Sequence, residues 1–297
     1  MSNIDFLFEE KAADIGNFLV GRLLPFRQKR SIGPFVFIDH MGPAKMKAGE
    51  NLDVAPHPHI GLSTLTFLFD GAVHHKDSLG NDVVIEPGAV NWMTAGSGVV
   101  HSERTPLYLR DKEKSLHGLQ IWIALPKDLE DIEPDFVHVE ATSLPTWKEG
   151  SVDFKLIAGE FENKKSSVPV YSRLYMMELK AHQDQTIELQ NRLYGESGLY
   201  ILEGEVSSDG ATFGPKQILI TKDAHLCTFD IKAGSTIYLF GGEPFPEEHF
   251  IFWNFVSSSK EKIELAKERW QNQEFPSVPG ETDFVPLPEN PFKKDLR

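Results

Sequence analysis

The sequence predicts an all-β protein built as two β-barrel domains with a short C-terminal helix. Three observations predict it. Short runs rich in β-branched and aromatic residues follow one another in two successive series, broken throughout by Gly, Pro, Asn and Asp. Several runs alternate polar with apolar residues, as a strand with one face against a core must. Only one segment, near the end, has helical spacing. At 297 residues the chain exceeds one average core, and about 100 to 200 residues per domain gives two.

The first series runs from residue 18 to 125: FLVGRLLPF, PFVFIDHMG, STLTFLFDG, VVIEPG and HGLQIWIALP. The turn signals Ser78-Leu79-Gly80-Asn81 and Glu86-Pro87-Gly88 predict a hairpin of strands near 66–76 and 82–86. Pro126, Pro134 and Pro145, set among acidic residues, mark a linker. The boundaries are then 1–126 for a first barrel, 127–150 for the linker and 151–297 for a second barrel with the helix and an extended tail. The second series spans 152–242, and its LYILEGEVSS echoes LTFLFDGAVHH of the first as a weak internal repeat. In SSSKEKIELAKERWQNQ, Ser257 to Ser259 can cap a helix that puts Ile263, Ala266 and Trp270 on one face. The Pro-rich FPSVPGETDFVPLPENPFKK after it should lie extended along another part of the protein.

A net charge of −14 repels phosphate backbones, so direct nucleic-acid binding is not expected. The short basic stretch Arg27 to Arg30 reads as a solvated turn. A lone Cys227 in the strand-like HLCTFDI cannot form an internal disulfide and reads as a buried, inert thiol in a reducing compartment. The first residues, MSNIDFLFEEK, are acidic where a signal peptide is basic, and no apolar run approaches about 18 residues. The expectation is a cytoplasmic protein without a membrane segment.

His57-Pro58-His59 places two imidazoles at i and i+2, on one face of a strand, with Pro56 and Pro58 holding the segment extended. His101-Ser102-Glu103 repeats the spacing and adds a third imidazole and a carboxylate, just after the Gly-containing AGSGVV. Three imidazoles and one carboxylate suit Fe(II), Mn(II), Co(II), Ni(II), Cu(II) or Zn(II) rather than Mg(II) or Ca(II), which prefer oxygen shells. His182, His225 and His249 are scattered, so no second metal is expected. His75, and more weakly the Asp39-His40 pair, could orient a ligand from outside the coordination shell.

The stretches PFVFIDHMGP, APHPHIGLSTLTFLFDG and HKDSLGNDVVIEPGAVNWMTAGSGVVHSE closely resemble the pirin family of the cupin superfamily, and the resemblance spans nearly the whole chain. It implies a bicupin of two jelly-roll barrels, the first holding one metal, usually iron, through His57, His59, His101 and Glu103. Cupins generally carry a Glu four or five residues after the second His, where this chain has Ser63 and Thr64. In pirins the later Glu supplies the carboxylate. Many pirins also have Arg and an aromatic residue where Ile60 and Leu62 stand here, which puts the substrate pocket in question.

Some pirins are similar to quercetin 2,3-dioxygenases, so the resemblance implies opening of a flavonol ring by dioxygen with loss of carbon monoxide. Glu103 would be the catalytic base for the 3-hydroxyl, and Phe67, Trp92 and Met93 are candidates to line an apolar pocket. The resemblance also implies an alternative, a metal-bearing regulatory protein that docks on a transcription factor or metabolic enzyme without turnover; the acidic charge then favours a protein partner over DNA. Fold-level analogy suggests a monomer.

Overall fold

The computed structural model describes residues 4–15, 18–221 and 228–289. Cys227 and His225 lie outside the described residues. The chain divides into two compact units, each assembled from separate stretches: 12–22, 38–141 and 246–297 form one, and 1–11, 23–37 and 142–245 the other.

The unit that includes residues 38–141 carries most of a seven-stranded sheet. Its order is Asp135–Val139, Val90–Thr94, Leu62–Gly71, Lys114–Ala124, Phe35–Met46, Leu19–Leu24, Lys11–Asp14. A four-stranded sheet belongs to the same unit, in the order Val54–His59, Val99–Arg104, Val73–Asp77, Asp82–Ile85. Ile85 of the small sheet packs in one cluster with Val20, Met41, Leu68 and Leu116 of the large one. The other unit repeats the plan. An eight-stranded sheet centred on Leu174–Ala181, Glu196–Glu203 and Thr236–Gly242 shares a core with a four-stranded sheet of Gln185–Glu188, Thr228–Ile231, Val206–Ser208 and Ala211–Phe213.

The all-β class and the C-terminal helix hold, but among the described residues no sheet closes into a barrel, so the expected pair of jelly-roll barrels is corrected. Closure requires the first and last strands of a sheet to pair. Among the described residues every sheet keeps two edges, Asp135–Val139 and Lys11–Asp14 in one case and Val54–His59 and Asp82–Ile85 in another. Each core is sealed by side chains meeting between two open sheets rather than by a continuous ladder.

The hairpin also differs from expectation. The chain leaves the seven-stranded sheet at Gly71, which sits at φ +85°, and a Cβ there would lie 2.2 Å from the Ser115 carbonyl oxygen. Only then does the small-sheet hairpin begin, with Val73 opposite Ile85 and Lys76 opposite Asp82. Residues 127–150 contribute two edge strands: Asp135–Val139 against Val90–Thr94, and Thr146–Glu149 against Val152–Phe161.

The helix forms at Lys260–Gln271 with Ser259 as its N-cap and buries Ile263, Ala266 and Trp270. These three join Ile60, Val100, Phe255, Phe275 and Val278 in one cluster. Glu130, 1% exposed, fixes the start of the helix by accepting from Ser257 Oγ at 2.7 Å and Lys262 Nζ at 3.1 Å. The tail runs along the strands that carry the histidine pairs: Val285 N–H donates to the Pro56 carbonyl at 2.9 Å, and Glu281 accepts from Ser102 and Arg104. Among the described residues no helix is long and apolar enough to cross a membrane.

Candidate metal centre

The two histidine pairs meet because their strands are neighbours. Val54–His59 pairs antiparallel with Val99–Arg104, setting His101 opposite His57 and Val99 opposite His59. The i, i+2 spacing then turns all three imidazoles to one side. Their candidate donor atoms lie within 4.8 Å of one another, and all three residues are buried. His59 Nε2 and His101 Nε2 are 3.1 Å apart. Imidazole–metal bonds of about 2.0–2.1 Å put adjacent ligand nitrogens about 3 Å apart. The spacing of this pair therefore fits one shared ion.

Outer contacts decide which ring nitrogen is free. His57 Nδ1–H donates to the Ala55 carbonyl at 2.9 Å, and His59 Nδ1–H donates to the Asn254 carbonyl at 3.2 Å. Both rings keep an Nε2 lone pair for a cation. Burial pushes His57 down to about 4, and burial together with neighbouring imidazole charge holds His59 and His101 well below the usual histidine range. The cluster is neutral at pH 7, the state a metal needs. The described residues hold one such group, a three-histidine site able to take a divalent metal.

Glu103 is on the same strand but outside that group of mutually close donors. Its strand pairing shifts register between His101 and Glu103 against Val54–His59, while on the other side Glu103 stands opposite His75. The residue is half-buried, yet burial is the largest influence on its carboxyl and pushes it up, against the pull of His75 and a hydrogen bond with Thr66. The Thr66 hydroxyl also contacts Gln120 Oε1 at 2.8 Å.

The site extends across to the seven-stranded sheet. The Trp122 ring meets His59 edge-on at 5.3 Å. Registers place Thr64 opposite both Met93 and Trp122, and Thr66 opposite both Asn91 and Gln120, so these residues share the site-facing side. Met93 was expected there. Phe67 and Trp92 belong to the opposite side of the same sheet, paired with Val90 and Leu65, and each is 1% exposed in the core. Ile60 packs under the C-terminal helix.

Sequence reasoning missed Trp122, Thr66 and Gln120, which reach the site only through long-range pairing; the Thr64/Thr66 alternation was the available signal. His75 contacts one of the three clustered histidines, His101, at 3.3 Å between Nδ1 atoms. Asp39 instead forms an ion pair with Arg22, and His40 meets His117 Nε2 to Nε2 at 2.8 Å. In the other unit His182 bonds Asp153, whereas His249 belongs to the unit of the histidine cluster and meets the Leu125 carbonyl.

Residues 17–123 match the family model for pirin, and residues 176–276 match that for the pirin C-terminal cupin domain. A pirin-like protein of Caulobacter vibrioides is 45% identical over 291 residues, covering 96% of this chain and all of the relative. The chain belongs to the pirin family. The crystal structure of quercetin 2,3-dioxygenase from Acinetobacter baumannii superposes on this pirin-family chain with a TM-score of 0.87 at 35% identity, covering 96% of this chain and 95% of the other. A second quercetin 2,3-dioxygenase structure from the same organism matches with a TM-score of 0.83 at 25% identity, covering 93% and 98%. The bicupin relationship inferred from the sequence motifs therefore extends over both units.

Proposed function

We propose that this protein is a metal-dependent dioxygenase that opens the flavonol ring of quercetin or a similar aromatic compound. The observation that carries the reading is the buried, neutral three-histidine cluster with the His59 and His101 donors 3.1 Å apart, in a chain homologous to quercetin 2,3-dioxygenases over nearly its whole length. The ion, most suitably Fe(II), with Mn(II), Co(II), Ni(II), Cu(II) or Zn(II) also matched by the donor set, would supply Lewis acidity and, where redox-active, electrons toward dioxygen.

The chain's own residues supply the rest. His57, His59 and His101 hold the ion. Glu103, two residues beyond His101, is the fourth ligand and the base that takes the proton of the substrate's hydroxyl; a raised carboxyl pKa makes it a stronger proton acceptor once ionised. Trp122 and Met93 present apolar surface on the site-facing side of the large sheet for an aromatic ring. The buried surroundings of the histidines exclude bulk water, which strengthens every polar contact with the substrate.

The test is aerobic turnover of quercetin by protein reconstituted separately with Fe(II), Mn(II), Co(II), Ni(II) and Cu(II). Metal-dependent loss of the flavonol with release of carbon monoxide is the expected result. A full complement of metal with no flavonol consumed under any ion would overturn the quercetin-type reading.

A further inference from the structure

Among the described residues His101 Nδ1 meets a side chain where the other two imidazoles meet backbone carbonyls. His57 Nδ1 faces Ala55 O and His59 Nδ1 faces Asn254 O, but His101 Nδ1 faces another side chain, His75 Nδ1, at 3.3 Å. An imidazole can accept at that nitrogen only if its own proton is on the other one. What sets the tautomer of His75 therefore sets the orientation of His101.

Asp77 is placed to set it. His75 Nε2 lies 3.1 Å from Asp77 Oδ2. Asp77 is fully buried, and the neighbours that hydrogen-bond its carboxylate from the following turn are all donors: Leu79 N at 2.9 Å, Asn81 N at 3.0 Å and Asn81 Nδ2 at 2.8 Å. A group so surrounded is an acceptor-only carboxylate. Oδ1 takes the backbone N–H groups of Leu79 and Asn81, Oδ2 faces His75, and the Asn81 side-chain amide reaches both oxygens. Phe136 stacks on the His75 ring at 4.5 Å and 18°, fixing its plane. His75 is 3% and His101 1% exposed, so water does not compete for these bonds.

We infer that Asp77 is a positioning residue of the metal centre: it holds the Nε2–H of His75, so that His75 Nδ1 accepts the Nδ1–H of His101 and the His101 Nε2 lone pair is aimed at the ion. The order is Asp77 carboxylate, His75, His101, metal. Outer partners of this kind commonly change metal affinity about 10- to 100-fold. The inference rests on the three-histidine metal reading above, and it assigns Asp77 and His75 no contact with substrate.

The experiment measures Ni(II) affinity by chelator competition for the wild-type chain, Asp77→Asn, His75→Phe and the double variant. Phe at 75 keeps the stack on Phe136. Each single variant should weaken Ni(II) binding by about 10- to 100-fold, and the double variant should be no weaker than the worse single, because the two residues act in series. Losses that multiply, or an unchanged affinity in Asp77→Asn, would overturn the proposal. Asn81→Ala loosens the same turn without touching His75 and should bind Ni(II) as the wild type does; an equal loss there would mean that turn order, not the His75 contact, is responsible. Because Asp77→Asn could fail to fold, imidazole nitrogen NMR of the Zn(II)-loaded wild type gives a reading that needs no variant. His75 protonated at Nε2 and bare at Nδ1 supports the chain, and the reverse tautomer refutes it. Wild-type protein that binds no Ni(II) would instead sink the metal reading itself.

Discussion

The two units share a plan of one large and one four-stranded open sheet, and they differ in what the small sheet turns inward. In one unit Val54–His59 and Val99–Arg104 contribute His57, His59 and His101, backed by His75 and Asp77. In the other, Gln185–Glu188, Val206–Ser208, Ala211–Phe213 and Thr228–Ile231 contribute Ile187, Val206, Phe213, Phe229 and Ile231 to an apolar cluster. The same scaffold thus carries a three-histidine site able to take a divalent metal in one place and a plain hydrophobic core in the other. Buried imidazoles demand hydrogen-bond partners, and the first unit provides one at the Nδ1 of each of the three histidines. Buried aliphatic and aromatic groups need only close packing, which is all the second unit offers.

The contrast between the units is broken most directly in the histidine cluster. His101→Ala should reduce bound metal from about one ion per chain to none retained after desalting, read by elemental analysis; full occupancy in that variant would remove His101 from the ligand set. The counterpart in the other unit is Phe229→Ala, which should cost about 3–5 kcal/mol of stability while leaving metal content unchanged. Loss of metal from Phe229→Ala in protein that is still folded would show that the second unit is more than a structural core.

A smaller effect sharpens the account of how the helix joins the metal-bearing unit. Burial alone would push the Glu130 carboxyl up, but hydrogen bonds from Ser258 and Ser257 and the Lys262 side chain hold it below the usual carboxylate range. A folded-state pKa below the unfolded one stabilises the protein above the ordinary carboxylate range, and that contribution is lost as pH falls through the folded value. Glu130→Gln should therefore lower stability by about 1–3 kcal/mol at neutral pH and flatten the acid side of a melting-temperature profile. A parallel profile for variant and wild type would refute this role. The smallest expected change is Ser259→Ala, about 0.5–1 kcal/mol for a lost N-cap, checked by chemical denaturation; its bond to Lys262 N is long at 3.4 Å, which favours the lower end.

What was legible in the sequence was local. The i, i+2 histidine pairs needed only the strand repeat to be read as co-facing, and the helix at Lys260–Gln271 needed only its Ser cap and the spacing of Ile263, Ala266 and Trp270. What depended on pairing across the chain was not legible. Alternation does not say whether a sheet closes, so two barrels were expected where the sheets stay open. Nor does it say which side of Leu62–Gly71 faces the histidines, so from sequence Phe67 and Trp92 stand as pocket candidates beside Met93, and the register turns them away. Asp77 reads in sequence as part of a turn, and its second role appears only when Val73–Asp77 is laid beside Val99–Arg104.

The central claim is that one ion is held by the imidazoles of the first unit. X-ray absorption of the Ni(II)- or Fe(II)-loaded full-length chain tests it most directly. The account predicts about one metal per chain with three imidazole nitrogens in its first coordination shell, at about 2.0–2.1 Å. A shell without imidazole scattering would contradict it.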